Sequence, residues 1–128
     1  MSDWNISDKA AQLHQNALVW DMSLSWENDF EPKQGTLERF VKSGFDFISL
    51  TVGGDRYRLD ETVKQIAAVT TEIRGRSDQV LVRKADDILQ AKRDGKLALC
   101  FNLQGTNGLD GDINMVQWAS ISVIRTLF

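Results

Sequence analysis

The sequence predicts an α/β fold built on a parallel sheet, and three observations carry that prediction. Short apolar runs at 17–24, 45–52 and 97–103 alternate with amphipathic stretches, as expected when each strand is followed by a helix that returns the chain to the same edge of a sheet. The run Ala17-Leu18-Val19-Trp20 is nearly continuous rather than alternating, which suits a strand covered on both faces. Glycines punctuate the boundaries, and the single proline, Pro32, lies in a polar stretch at 27–35 that reads as a loop.

The chain of 128 residues is 42% hydrophobic and 26% charged, which fits one soluble unit, 1–128, with a single core. Its net charge of -3, with both signs interspersed, gives no footprint for nucleic acid or an anionic membrane. Residues 1–16 are polar and charged, without the apolar segment of a secretory signal, and no run is long enough to span a bilayer. A cytoplasmic location is the expectation. Cys100 stands alone, so an internal disulfide and a cysteine zinc cluster are excluded, and the thiol is expected in a core strand.

Along the chain, 7–15 forms a short helix with Asp8 near its positive end. Ala17-Leu18-Val19-Trp20 begins the first strand, continued by Asp21-Met22-Ser23-Leu24-Ser25. Thr36 can cap a helix whose Leu37, Phe40 and Val41 share one face, with Gly44 as its stop. The second strand, 45–52, is broken by Gly53-Gly54-Asp55. Asp60 can cap a longer helix with a stripe of Leu59, Val63, Ile66, Val69, Thr70 and Ile73, ended by Gly75. Val80-Leu81-Val82 is a short extended piece. Asp86 and Asp87 then open a helix with Lys92 and Arg93 in its last turn, charges that complement the helix dipole. The third main strand is 97–103, 104–111 a loop, 112–120 a helix, and 124–128 the start of a fourth strand. The three main strands are expected parallel and adjacent, with helices on one outer face, because right-handed crossovers favour that arrangement.

Leu13-His14-Gln15-Asn16-Ala17-Leu18-Val19-Trp20-Asp21, the strand opened by Gly44-Phe45-Asp46, Asp86-Asp87-Ile88 with Gly95-Lys96, and Gly111-Asp112-Ile113-Asn114-Met115-Val116 together resemble the membrane (renal) dipeptidase family of zinc peptidases. They occur in the family's order, and their joint occurrence is more specific than any one of them. The resemblance implies a partial (β/α)8 TIM-like barrel comprising about the first three and a half to four strand-helix units. It also implies a family reaction in which zinc activates water to hydrolyse dipeptides.

The resemblance brings a departure with it. The family's first strand ends in a His-x-Asp pair of ligands, and the matching positions hold Ser23 and Ser25; the glutamate that bridges two zinc ions falls on Gln104. Zinc prefers imidazole, thiolate and carboxylate donors, and neutral hydroxyls and a carboxamide replace none of them. His14 matches a non-ligand position and is read as a packing or surface residue. The expectation is no catalytic residue, no metal ligand and no zinc bound by this chain.

Other candidates have plainer readings. Gly53-Gly54-Asp55-Arg56 could cradle a phosphate at a helix start, but it lacks the spacing and lysine of a P-loop and reads as a strand-to-helix turn. Glu27, Asp29 and Glu31 could offer oxygen ligands to a hard cation, yet acids around Pro32 read as solvated surface. Trp20, Trp26, Phe30 and Trp118 have no basic track beside them and read as core or loop anchors rather than a stacking groove.

The leading expectation is an inactive N-terminal portion of a dipeptidase-like hydrolase, with a dipeptide substrate implied by the resemblance alone. The alternative is a non-catalytic half-barrel that binds or assembles, its open strand edges associating with a second copy. A self-contained doubly wound domain for a phosphorylated ligand is a third. The inward faces of a half-barrel would include Ile48, Leu50 and Leu99, although alternation along such apolar runs leaves the choice of face open.

Overall fold

The computed structural model describes residues 6–25, 36–121 and 124–127. Helix α1 (Asp8–Asn16) precedes strand β1 (Trp20–Ser25); α2 (Thr36–Lys42), β2 (Phe47–Gly54), α3 (Leu59–Arg74), β3 (Gln79–Leu81), α4 (Ala85–Arg93) and β4 (Leu97–Gln104) follow. A single 3-10 turn (Asn107–Leu109), α5 (Asn114–Ile121) and β5 (Ile124–Leu127) complete the order. Ser7 caps α1 by accepting from Ala10 N at 3.3 Å.

All strand pairs among the described residues are parallel. The sheet runs β1-β2-β4, and the far side of β4 is shared: β3 pairs its first residues, 97–99, while β5 pairs Phe101, Asn102 and Leu103. Alternating strand-helix units in this order form the partial (β/α)8 arrangement that the sequence implies, with the three main strands adjacent. The short β3 is an addition at the N-terminal end of β4.

Register separates the two faces. Ile48, Leu50, Val52, Leu99, Phe101 and Leu103 lie in one cluster with Leu37 of α2, Val69 and Ile73 of α3 and Ala119 of α5. Phe47, Ala98 and Cys100, the alternate residues, form a second cluster with Val82 and with Ala91 of α4. Two expectations are corrected here. Helices cover both faces rather than one, because α4 packs on the side opposite α2, α3 and α5. Ile48, Leu50 and Leu99 face the outer helices, and the opposite face holds the smaller and more polar residues.

Three local corrections follow. Strand β2 continues through Gly53 and Gly54, which pair with Leu103 and Gln104 after a register shift. A Cβ on Gly54 would stand 2.6 Å from Gln104 O, so the glycines permit close strand approach rather than break the strand. The start of α3 is Leu59, and Glu61 closes it by accepting from Arg58 N at 2.9 Å; Asp60 instead pairs with Lys64 at 3.3 Å. The buried stripe of α3 is Thr62, Gln65, Val69 and Ile73, and Val63 is 41% exposed.

At the N-terminal ends of the strands a charged clamp ties three elements together. Lys92 Nζ donates to Ala17 O at 2.9 Å and to both oxygens of Asp46 at 2.7 Å, and Asp46 Oδ2 also accepts from Val19 N at 2.8 Å. Lys92 therefore joins α4 to the entries of β1 and β2 rather than serving only the dipole of its own helix. Arg76 makes a second link, donating to Glu38 of α2 at 2.9 Å and to Asp78 at 3.0 Å. The guanidinium's hydrogen bonds hold the Asp78 carboxyl below its ordinary range. No helix among the described residues is long and apolar enough to cross a membrane.

Candidate functional site at the C-terminal ends of the strands

In a parallel barrel, loops at the C-terminal ends of the strands carry the chemistry. Here that end is lined by Ser25 at the end of β1, Thr51 and Gly54 of β2, and Asn102 and Gln104 of β4. Ser25 pairs with Thr51 and Thr51 with Asn102, placing three neutral polar residues in one row across three strands. Ser23 lies at the register shift between Asp21 and Leu24, where its backbone N–H donates to Asp21 Oδ1 at 2.9 Å. Ser23, Ser25 and Gln104 are all exposed.

Two members of the row belong to a satisfied polar network that the sequence reading missed. Asn102 is fully buried and donates through Nδ2 to Ser49 O at 3.1 Å and Ser49 Oγ at 2.9 Å, while Thr51 Oγ1 donates to Asn102 Oδ1 at 2.9 Å. The Cys100 thiol, buried as expected, donates to Ser49 Oγ at 3.5 Å. A polar residue inside the apolar run Leu97–Gln104 was the available signal, since buried polar groups need partners.

Asp55 organises the rim. Its backbone N–H donates to Gln104 O at 3.2 Å, Oδ1 accepts from Thr106 N at 3.1 Å, and its carbonyl accepts from Asn107 Nδ2 at 2.7 Å. Gly105 has φ +115, and a Cβ there would run into the Asp55 carboxylate, so a side chain is barred on both counts. The turn reading of Gly53-Gly54-Asp55-Arg56 is thus refined into a brace between the loops after β2 and β4.

The donors at the three positions that the resemblance gives to ligands do not fit zinc. Ser23, Ser25 and Gln104 offer two hydroxyls and a carboxamide, and among the described residues no group of three or more His, Cys, Asp or Glu could hold a metal ion. Imidazole, thiolate or carboxylate would be needed. His14 lies elsewhere, on α1, its ring beside Gly44. Trp20 sits 6.2 Å from the Phe47 ring, and Trp118 packs against the larger core cluster. Glu27, Asp29, Glu31, Trp26, Phe30 and Pro32 lie outside the described residues.

No protein-family model and no curated protein matches this sequence. Solved structures do. An amidohydrolase from Pseudomonas aeruginosa is similar with a TM-score of 0.77 and 25% identity over 91% of this chain. The probable dipeptidase PvdM from the same organism gives 0.76 and 18% over 93%, and the dipeptidase AC, a metallopeptidase of family M19, gives 0.62 and 14% over 86%. The fold is thus that of part of a dipeptidase-type (β/α)8 barrel, and the resemblance read from the sequence points to the same group as these neighbours. This chain spans 35%, 36% and 41% of the three structures' lengths, respectively.

Proposed function

We propose that this chain is the N-terminal part of a dipeptidase-like hydrolase barrel and is catalytically silent by itself. The observation that carries the reading is the chemistry of Ser23, Ser25 and Gln104, neutral groups at the three positions where the family resemblance implies His, Asp and a bridging Glu. In the family, zinc would polarise the scissile carbonyl and lower the pKa of the attacking water; the hydroxyls and carboxamide at these three positions do not suit it. A dipeptide substrate belongs to this reading only through the resemblance; a cytoplasmic location is proposed from the polar character of residues 1–16, and subcellular fractionation tests it.

The direct test is zinc analysis after dialysis, together with dipeptide hydrolysis followed with and without chelator. The expected outcome is less than stoichiometric zinc and no chelator-sensitive turnover, unchanged in a Ser23→His, Ser25→Asp, Gln104→Glu triple variant. Stoichiometric zinc or chelator-sensitive turnover in the unmodified chain would overturn the reading.

The alternative, a non-catalytic assembly module, is favoured by one observation. Edge strand β1 leaves Trp20 56% and Met22 40% exposed, and exposed apolar edges invite pairing. Sedimentation over a range of concentrations tests it: a concentration-dependent rise in mass supports self-association, and a monomer throughout rejects it.

A further inference from the structure

Glycine follows an aspartate or asparagine three times in this chain, at Asp94-Gly95, Asn107-Gly108 and Asp110-Gly111. With no side chain in the way, a glycine nitrogen can attack the preceding side-chain carbonyl carbon and close a five-membered imide that reopens to isoaspartate. On sequence alone all three pairs are open to this reaction. We propose that the fold protects the first two and leaves Asp110-Gly111 as a modification site for isoaspartate formation.

Leu109 to Asp112 form a β-turn, closed by Asp112 N donating to Leu109 O at 3.1 Å. Its central residues, Asp110 at φ 54 and ψ 28 and Gly111 at φ 71, have the positive angles of a type I′ turn, for which Asp-Gly is a favoured pair. In this form Gly111 N points away from the Asp110 side chain. Flipping the 110–111 peptide plane converts the turn to type II′, which keeps Asp110 at positive φ and takes its ψ to about −120°. The nitrogen then eclipses Cβ and comes within reach of Cγ. Glycine accepts both forms, since its own φ changes sign in the flip. No hydrogen bond resists the flip. Asp110 O, Gly111 N and the Asp110 carboxylate have no hydrogen-bond partner among the described residues, and a Cβ on Gly111 would meet open space.

The other two pairs are tied. Gly95 N donates to Lys92 O at 3.1 Å, and Asp94 Oδ1 accepts from Gln90 Nε2 at 2.8 Å. Asn107 O accepts from Asp110 N at 3.1 Å, Asn107 Nδ2 donates to Asp55 O at 2.7 Å, and Gly108 is buried.

In the reaction Gly111 N bonds to Cγ of the protonated Asp110 carboxyl, and the amide proton leaves with the hydroxyl as water. Water then opens the imide. Cleavage between Gly111 N and the main-chain carbonyl carbon gives isoaspartate, and cleavage between Gly111 N and Cγ restores aspartate. One water is lost and one regained, so solvent is the sole co-reactant. Isoaspartate lengthens the main chain by a methylene just before Asp112, whose Oδ1 accepts from Asn114 N at 2.8 Å at the start of α5.

The test is incubation of the whole chain in heavy-oxygen water at weakly acidic pH, folded and in guanidinium chloride. Fragment masses locate the incorporated oxygen, and an isoaspartyl carboxyl methyltransferase scores the product. Asp110 should react in the folded chain within about threefold of its rate in denaturant, while Asp94 and Asn107 slow about tenfold or more, because each must first release two hydrogen bonds. Asp110→Asn gives a comparison within one chemistry at neutral pH, and asparagine tolerates the same left-handed backbone. Position 110 should then lose ammonia about tenfold or more faster than Asn107 in the folded chain, and at the same rate in denaturant. Protection of Asp110 as strong as that of the other two pairs would overturn the proposal. So would equal rates at positions 107 and 110 in the folded variant. If Asp110→Asn does not fold, the unmodified chain still decides.

Discussion

Replacing Lys92 with methionine isolates the clamp at the N-terminal ends of the strands, because methionine keeps an apolar stem of similar length while removing the ammonium group. In the native chain that group contacts Ala17 O at 2.9 Å and both Asp46 oxygens at 2.7 Å. The side chains of Lys92 and Asp46 are only 29% and 12% exposed. Without Nζ, Asp46 keeps the Val19 N–H as a partner but loses its counter-charge at a site largely withdrawn from water. Hydrogen bonds to charged groups are worth ~1.5–3 kcal/mol, and breaking a fully buried pair costs ~3–5 kcal/mol. Partial exposure of the lysine places this case near the lower range, at about 2 kcal/mol. For a chain of this size that corresponds to roughly 8 °C in Tm. Urea unfolding should show the loss as a lower midpoint with an unchanged slope. A cycle with Asp46→Asn should return a coupling of at least about 1 kcal/mol. A loss below about 0.5 kcal/mol, the ordinary range for surface substitutions, or zero coupling would mean that the clamp contributes nothing and that α4 is held by its apolar contacts alone.

Two other predictions concern stability. Asn102→Ala should cost about 2–3 kcal/mol in urea unfolding, because Ser49 and Thr51 lose their buried partner; a neutral result would show that the network is replaceable by water. The pH dependence should separate two carboxyls. Burial pushes the Glu72 carboxyl up, with Arg76 opposing, so the native fold disfavours its charge and its contribution falls as pH rises from the ordinary carboxyl value through the raised one. Glu72→Gln should therefore stabilise the chain at neutral pH and not at low pH. Asp78 has the opposite sign: hydrogen bonding by Arg76 lowers it, so its contribution is present above the ordinary value and is lost as pH falls through the lowered one. Asp78→Asn should destabilise at neutral pH and converge with the parent in acid. Melting curves across pH check both, and parallel curves for parent and variant would contradict the assignment.

How far the sequence was legible depended on the kind of pattern each segment carried. Strands β2 and β4 and helices α3 and α4 were legible because long apolar runs and capped amphipathic stretches alternate. The facing of the strands was not, since a run such as Phe47 to Val52, or Leu97 to Leu103, offers apolar residues at both parities. Ile48, Leu50 and Leu99 could thus be assigned to an inner face when they meet α2 and α3. Val63 was placed in the buried stripe by hydrophobicity, whereas Thr62 and Gln65 occupy it because the helix meets the sheet one position over. The clamp was invisible for a different reason: Asp46 and Lys92 lie 46 residues apart, and only the packing of α4 on the second face of the sheet brings them together. At the candidate site, Ser23, Ser25 and Gln104 were legible through the family resemblance, while Asp55 and Asn107 required the approach of two loops.

The neutral residues Ser23, Ser25 and Gln104 at the strand ends and the polar network that adjoins them form one physical arrangement. Acidic ligands clustered at a strand end repel one another and lose hydration, costs that a bound cation offsets. Without a cation, the same carboxylates would be a liability to folding. Serine, serine and glutamine avoid that liability: they carry no charge, and their exposed positions leave them hydrated. Beside Ser25 in register, Thr51 and Asn102 satisfy one another and Ser49 inside the protein. On the proposed reading, neutral groups at the described strand ends need no metal to offset their charge, and the charge of Asp55 and Arg56 lies on the loop after β2.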